Sequence, residues 1–214
     1  MPGVPSFADT VVKPDTEWIE EVGVQVLAQI TSATRPANGY PGRMCFEIDT
    51  NRFILDDGIG WLGWDLEWQT YTPTFTNVTL GTGGSPSVAG VYKRRWNSAL
   101  VSVEWKLGTT GEASGDIRFS SPLEMATDPL TATAAVRLKW PCTFTDSGVR
   151  TYLGYVYDVS TTSFRALALD TVAATDTNVY AAVSSSTVPF TWADNDEFYM
   201  PPALVDVAAA DLYL

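Results

Sequence analysis

The sequence predicts a mainly β protein: a short N-terminal helix, a small β-meander connector and a C-terminal antiparallel β-sandwich or jelly roll. Three observations carry that prediction. The spacing of apolar residues changes from near 3.6 to 2 at about residue 34, the signature of a helix giving way to strands. From Trp68 onward, roughly eight to ten short alternating runs are separated by Gly, Ser, Thr and Pro, as in antiparallel all-β domains. The chain is 45% hydrophobic, which suits a packed core, yet no run approaches the ~20 apolar residues of a membrane span.

Residues 1–14 hold Pro2, Pro5 and Pro14 with Gly3 and read as an extended arm. A helix is expected over 15–33. Asp15 or Thr16 can cap it, and Glu17, Glu20 and Glu21 offset the partial positive charge of its first turns. Ile19, Val22, Val26 and Ile30 form one stripe, with Trp18 beside it. Gly23 and the β-branched residues weaken this helix, so it needs something to pack on. Residues 1–34 are therefore expected to form an arm and stem.

The next segment, 35–67, reads as a connector of three short strands. Met44, Phe46 and Ile48 alternate with Arg43, Cys45 and Glu47, as on a strand with one covered face. "DTN" at 49–51 and "DDG" at 56–58 supply turns, with Phe53 and Leu55 between them and Trp61 and Trp64 beyond. A module of about thirty residues is below the ~40 at which a domain usually stands alone. Met44, Phe46, Ile48, Phe53, Leu55, Trp61 and Trp64 are thus candidate packing residues, to be covered by neighbouring copies and by the first strands of the domain that follows.

Residues 68–214 are β throughout. "VSVEWKL" puts Val101, Val103, Trp105 and Leu107 on one face, and "VRTYLGYVYDV" with "SFRALALD" reads as a hairpin around "STT". Trp105 and Trp140 are expected in the core. "GTGGSPS" at 81–87 is a loop between strands, not a linker.

Composition narrows the chemistry. Thirteen Lys and Arg against 25 Asp and Glu give a net charge of −12, which disfavours nucleic acid. The one basic cluster, "YKRRW" at 92–96, reads as the solvated face of a strand. There is no histidine, which removes Ser-His-Asp and Cys-His catalysis. Cys45 and Cys142 lack metal-ligand spacing and are expected as thiols. No phosphate-cradling glycine motif is present. Carboxylate pairs such as Asp56 with Asp57, Asp116 with Glu104, and Asp194, Asp196 with Glu197 are the remaining acid–base candidates. "ADNDE" at 193–197 lacks the glycine and distal Glu of an EF-hand and reads as a turn. No catalytic residue, cofactor or metal is expected, nor membrane insertion, and the N-terminus shows no secretory leader pattern.

The order of several motifs resembles a known family. An N-terminal helix is followed by "TSATRPANGYPGRMCFEIDTNRFILDDGIGWLGWD", then "WQTYTPTFTNVTLGTGGSPSVAGVYKRRWNSALVSVEWKLG", and finally "VPFTWADNDEFYM". Over about residues 15–200 this resembles the small fibre and minor tail proteins of tailed bacteriophages, especially those infecting actinobacteria. The chain departs from that frame at "LDDGIGWLGWDLE", which is longer and richer in tryptophan. The resemblance implies a homotrimeric virion protein that carries a C-terminal β-sandwich on a short stem. It also implies attachment to other virion proteins through the N-terminal region, and display of the β-domain to a host-surface glycan or protein. A capsid fibre or decoration protein is the alternative within that class. The aromatic excess offers a soluble carbohydrate-binding module as an alternative of another class.

Overall fold

The structure is a computed structural model that describes residues 27–126, 139–169, 180–182 and 189–214. The protein is mainly β and divides into two compact units. The described part of the first holds 27–68, 93–97 and 212–214, and that of the second the rest. Of the expected stem residues, Trp18, Ile19, Val22 and Val26 lie outside the described residues.

In the first unit, β1 (Ala28–Ile30), β2 (Met44–Glu47), β3 (Arg52–Asp56) and β4 (Trp61–Asp65) are consecutive neighbours. β1 runs parallel to β2, pairing Ala28 with Cys45 and Ile30 with Glu47, and the other pairs are antiparallel. Ile30 was expected on a helix and is instead a strand residue, 6% exposed, packed with Cys45, Ile54 and Trp61. Its β-branched side chain fits a pleated surface, and the ladder to β2 supplies backbone partners that a local spacing pattern does not reveal.

Both expected turns form. Asn51 takes the left-handed conformation at φ 49°, which Asn tolerates better than most residues. Gly58 sits at φ 95°, and Asp57 Oδ1 accepts the amides of Ile59 and Gly60 at 2.8 and 2.9 Å. The C-terminal residues close the unit. Tyr213 bridges to Leu62, the Leu214 amide donates to the Trp61 carbonyl at 3.0 Å, and Leu214 packs on the Ile30–Trp61 cluster.

The second unit contains β5 (Gln69–Tyr71), β6 (Phe75–Thr79), most of β7 (Ser87–Arg95), β8 (Ser98–Lys106) and β9 (Glu112–Ser120). It continues with β10 (Trp140–Asp146), β11 (Arg150–Ser160), β12 (Ser163–Leu169), β13 (Tyr180–Ala182) and β14 (Glu197–Asp206). The order is β7-β8-β14-β10-β11-β12-β9-β6, with β5 on β7 and β13 on β12. The sequence suggested two stacked sheets, whereas these strands form one hydrogen-bonded path. That path curls over a single core. Phe75 of β6 lies 6.4 Å from Trp105 of β8, and Phe119 of β9 lies 5.6 Å from Phe198 of β14, so strands from its opposite ends meet ring to ring.

The alternation in the sequence explains most of this burial. Ala99, Val101, Val103 and Trp105 are all within 1% of full burial. Trp140 packs against the same core while its indole N–H donates to the Leu204 carbonyl at 2.9 Å. Pro201 and Pro202 fall inside β14, between β8 and β10, where a missing N–H would break a ladder. The register to β8 shifts between Met200 and Ala203, so the prolines sit at an irregularity, where strands tolerate them.

Candidate functional site

The meander of the first unit turns its acidic side chains inward and most of its candidate packing residues outward. Met44 is 39% exposed, Ile48 54% and Trp64 37%, whereas Glu47, Asp56 and Asp65 are fully buried and Cys45 nearly so. Phe46, Phe53, Leu55 and Leu62 share the outward face and are half-buried. Of the seven candidate packing residues, only Trp61 points into the unit's own core. The other six lie outward or on the turn beside that face. Alternation defines this apolar face without saying what covers it. Here ion pairs select the side.

Each buried carboxylate has its own arginine. Glu47 accepts from Arg35 at 2.6 Å, Asp56 from Arg43 at 2.9 Å, and Asp65 from Arg52 at 2.6 Å. Asp56 also accepts the amides of Tyr40 at 2.9 Å, Gly58 at 2.8 Å and Gly39 at 3.2 Å. Arg43 donates to the Ala37 carbonyl, and its guanidinium lies over the rings of Trp61 and Tyr40, 4.7 and 5.0 Å from their centres. Asp65 further accepts the Arg94 amide at 2.9 Å. Burying charge is costly unless it is paired and hydrogen-bonded, and both oxygens of Asp56 and of Asp65 accept hydrogen bonds.

On the outward face the antiparallel register lines up two apolar rows. Met44, Leu55 and Leu62 form one, and Phe46, Phe53 and Trp64 the other. The rings of Phe46 and Phe53 are 5.2 Å apart. Trp64 meets the edge of Trp96 at 5.4 Å, and Arg95 lies 5.9 Å over the Trp64 ring. Trp96 holds φ 55°, a costly conformation for a bulky residue. Its amide donates to the Gly63 carbonyl at 2.8 Å, which helps hold it there. The basic cluster is therefore not simply a solvated face. Arg94 is 8% exposed and donates to the Leu212 carbonyl at 3.3 Å, and Lys93 donates to the Leu66 carbonyl at 2.6 Å.

The other sequence candidates are in structural use. Asp116 pairs with Arg165 and with Arg118. Asp196 accepts the amides of Ser147 at 2.9 Å and Ala193 at 2.6 Å, fixing the 193–197 turn. Among the described residues no three acidic, Cys or His side chains converge as a metal-ligand set. Cys45 and Cys142 are free thiols buried in the cores of their own units. Tyr152 packs on Phe190 at 5.2 Å, and the Tyr157 hydroxyl accepts from Arg165 at 2.9 Å.

Acid acts oppositely on Asp56 and Asp196. Burial pushes the Asp56 carboxyl upward, but the three amides and Arg43 outweigh it and hold it below its ordinary value. Its stabilisation is complete above the unfolded value of about 3.9 and is lost as pH falls below that. Asp196 is raised, first by burial and then by nearby Asp146 and Asp194, against its two amide donors. Its contribution is therefore greatest in acid and declines as pH rises past about 4. Hydrogen exchange along an acid titration is expected to show protection failing in β2–β4 before β8 and β14. Simultaneous loss, or loss from β14 first, would contradict this assignment.

Sequence reasoning missed Arg35, Arg43, Arg52, Glu47, Asp56 and Asp65 as a set. A signal was present: Glu47, Asp56 and Asp65 recur at a spacing of nine, as do Arg43 and Arg52. Each acid closes one strand of the meander. The outward face of β2–β4 is largely aromatic and aliphatic, with Arg95 lying over its Trp64 ring. Compared with protein-family models, with characterised proteins and with solved structures, the chain matches none.

Proposed function

We propose that this protein is a non-enzymatic structural component of a tailed-bacteriophage virion, a short trimeric fibre or spike of the tail. In this reading the second unit serves as the displayed β-domain, a sandwich-like body for attachment to a host-surface glycan or protein. The N-terminal region joins it to other virion proteins. The order of the motifs "ATRPA", "DTNR", "GIGW" and "PFTWADND" supports the family reading. The observation that carries the assembly reading is the outward apolar face of β2–β4, which this chain leaves open to 39% at Met44 and 37% at Trp64.

Imaging of gold-labelled protein on phage particles tests the proposal. Label at the tail is the expected result. Label on the head would make it a decoration protein, and absence from particles would leave the carbohydrate-binding reading. Removing residues 1–26, which spares β1, is expected to abolish incorporation while the second unit stays folded.

A further inference from the structure

We infer that β4 carries a strand-addition groove for a short extended peptide, a tyrosine followed by an aliphatic residue, and that the chain's own Tyr213 and Leu214 occupy it. The inference goes beyond the virion reading and does not depend on it. One edge of β4 pairs with β3 over its whole length. The other edge is covered in two pieces: Trp64 pairs with Arg95, and Leu62 bridges to Tyr213. A strand edge accepts a further extended segment because its amides and carbonyls need partners. Here the Leu214 amide donates to the Trp61 carbonyl at 3.0 Å.

The groove is shaped for these two side chains. A side chain at Gly60 would run into the Tyr213 ring, and one at Gly63 would come 2.8 Å from Leu214 Cδ1. Neither glycine has a left-handed φ, so the close approach of the tail is what calls for glycine there. Asp57 divides its carboxylate between two tasks. Its Oδ1 accepts the amides of Ile59 and Gly60, which fixes the turn without the tail, and its Oδ2 accepts the Tyr213 hydroxyl at 3.0 Å. That acceptor selects tyrosine over phenylalanine. Leu214 packs on the Ile30–Trp61 cluster, which selects an aliphatic side chain, and Arg94 holds the Leu212 carbonyl at 3.3 Å. The β1–β4 ladder and its three ion pairs use no tail residue, so the groove persists when the tail leaves.

Two experiments on the full chain test this. In the first, Gly60→Ala is compared with the parent by hydrogen exchange. The Leu214 amide is expected to lose protection while β2 and β3 keep theirs. An unchanged Leu214 amide would overturn the inference. So would joint loss from β2 and β3, because the tail would then be part of the core and not a ligand. In the second, the groove is emptied by Tyr213→Ser with Leu214→Ser, and a fluorescein-labelled peptide of residues 208–214 is added. Anisotropy is expected to show saturable binding, several-fold weaker for a peptide with phenylalanine in place of the tyrosine and lost when Gly60→Ala is also present. No saturable binding, equal binding of the phenylalanine peptide, or binding unaffected by Gly60→Ala would overturn the inference. Equal binding to the parent, whose groove is filled, would overturn it as well.

Discussion

Replacing Asp56 by alanine is expected to cost about 3–5 kcal/mol, the loss associated with breaking a buried ion pair from one side. Removing the carboxylate leaves the Arg43 guanidinium, itself 7% exposed, without its counter-ion. It also orphans the amides of Gly39, Tyr40 and Gly58. Stability is typically about 0.05–0.15 kcal/mol per residue, so a unit this small has little margin. The first unit is expected to lose hydrogen-exchange protection while β8, β10 and β14 keep theirs, since those strands have a separate core. Arg43→Met should cost less than Asp56→Ala, because three backbone amides still hold the carboxylate. Equal costs would mean that the arginine, not the amides, stabilises Asp56.

The second large effect lies in the other unit. Phe198 is fully buried and touches Trp105, Phe119 and Phe144, with ring centres 5.7, 5.6 and 5.3 Å away. It sits where strands from opposite ends of the curled path converge. Alanine there removes a ring and leaves a cavity lined by other rings that cannot collapse into it. A loss of about 3–5 kcal/mol is expected, read as a lowered urea midpoint. Phe198→Leu should recover much of it. If alanine instead changes stability by less than ~1 kcal/mol, the ring cluster is not the close-packed interior described here.

What the sequence could and could not disclose divides along physical lines. Local alternation was enough for β8, for the β11–β12 hairpin with Ser160 facing Ser163, and for burying Trp105. Turn chemistry was enough for Asn51 and Gly58. Ile30 was misassigned because valine and isoleucine at helical spacing also suit a strand, and its partner Glu47 is seventeen residues away. Alternation in the meander defines two faces without saying which one lies against the unit's own core. An isolated Arg, Asp or Glu in a sequence reads as solvated, and only the paired geometry shows three arginines meeting three buried acids. The closure of the first unit by Leu212–Leu214 depends on contacts across the whole chain and leaves no local pattern. The curl of the second unit into one connected sheet is a property of strand pairing, which strand-by-strand reading does not reach.

The first unit turns three carboxylates inward and leaves its apolar face open, the face that the proposed trimer would cover. Light scattering of the parent protein and of Phe53→Asp, at matched micromolar concentrations, tests this most directly. Phe53 lies in the middle of the outward row between Phe46 and Trp64, so a carboxylate there disturbs the contact without entering the ion-paired interior. Three chain masses are expected for the parent and one for the variant, with an unchanged far-ultraviolet spectrum. A variant that remains trimeric, or a parent that is monomeric, would contradict it.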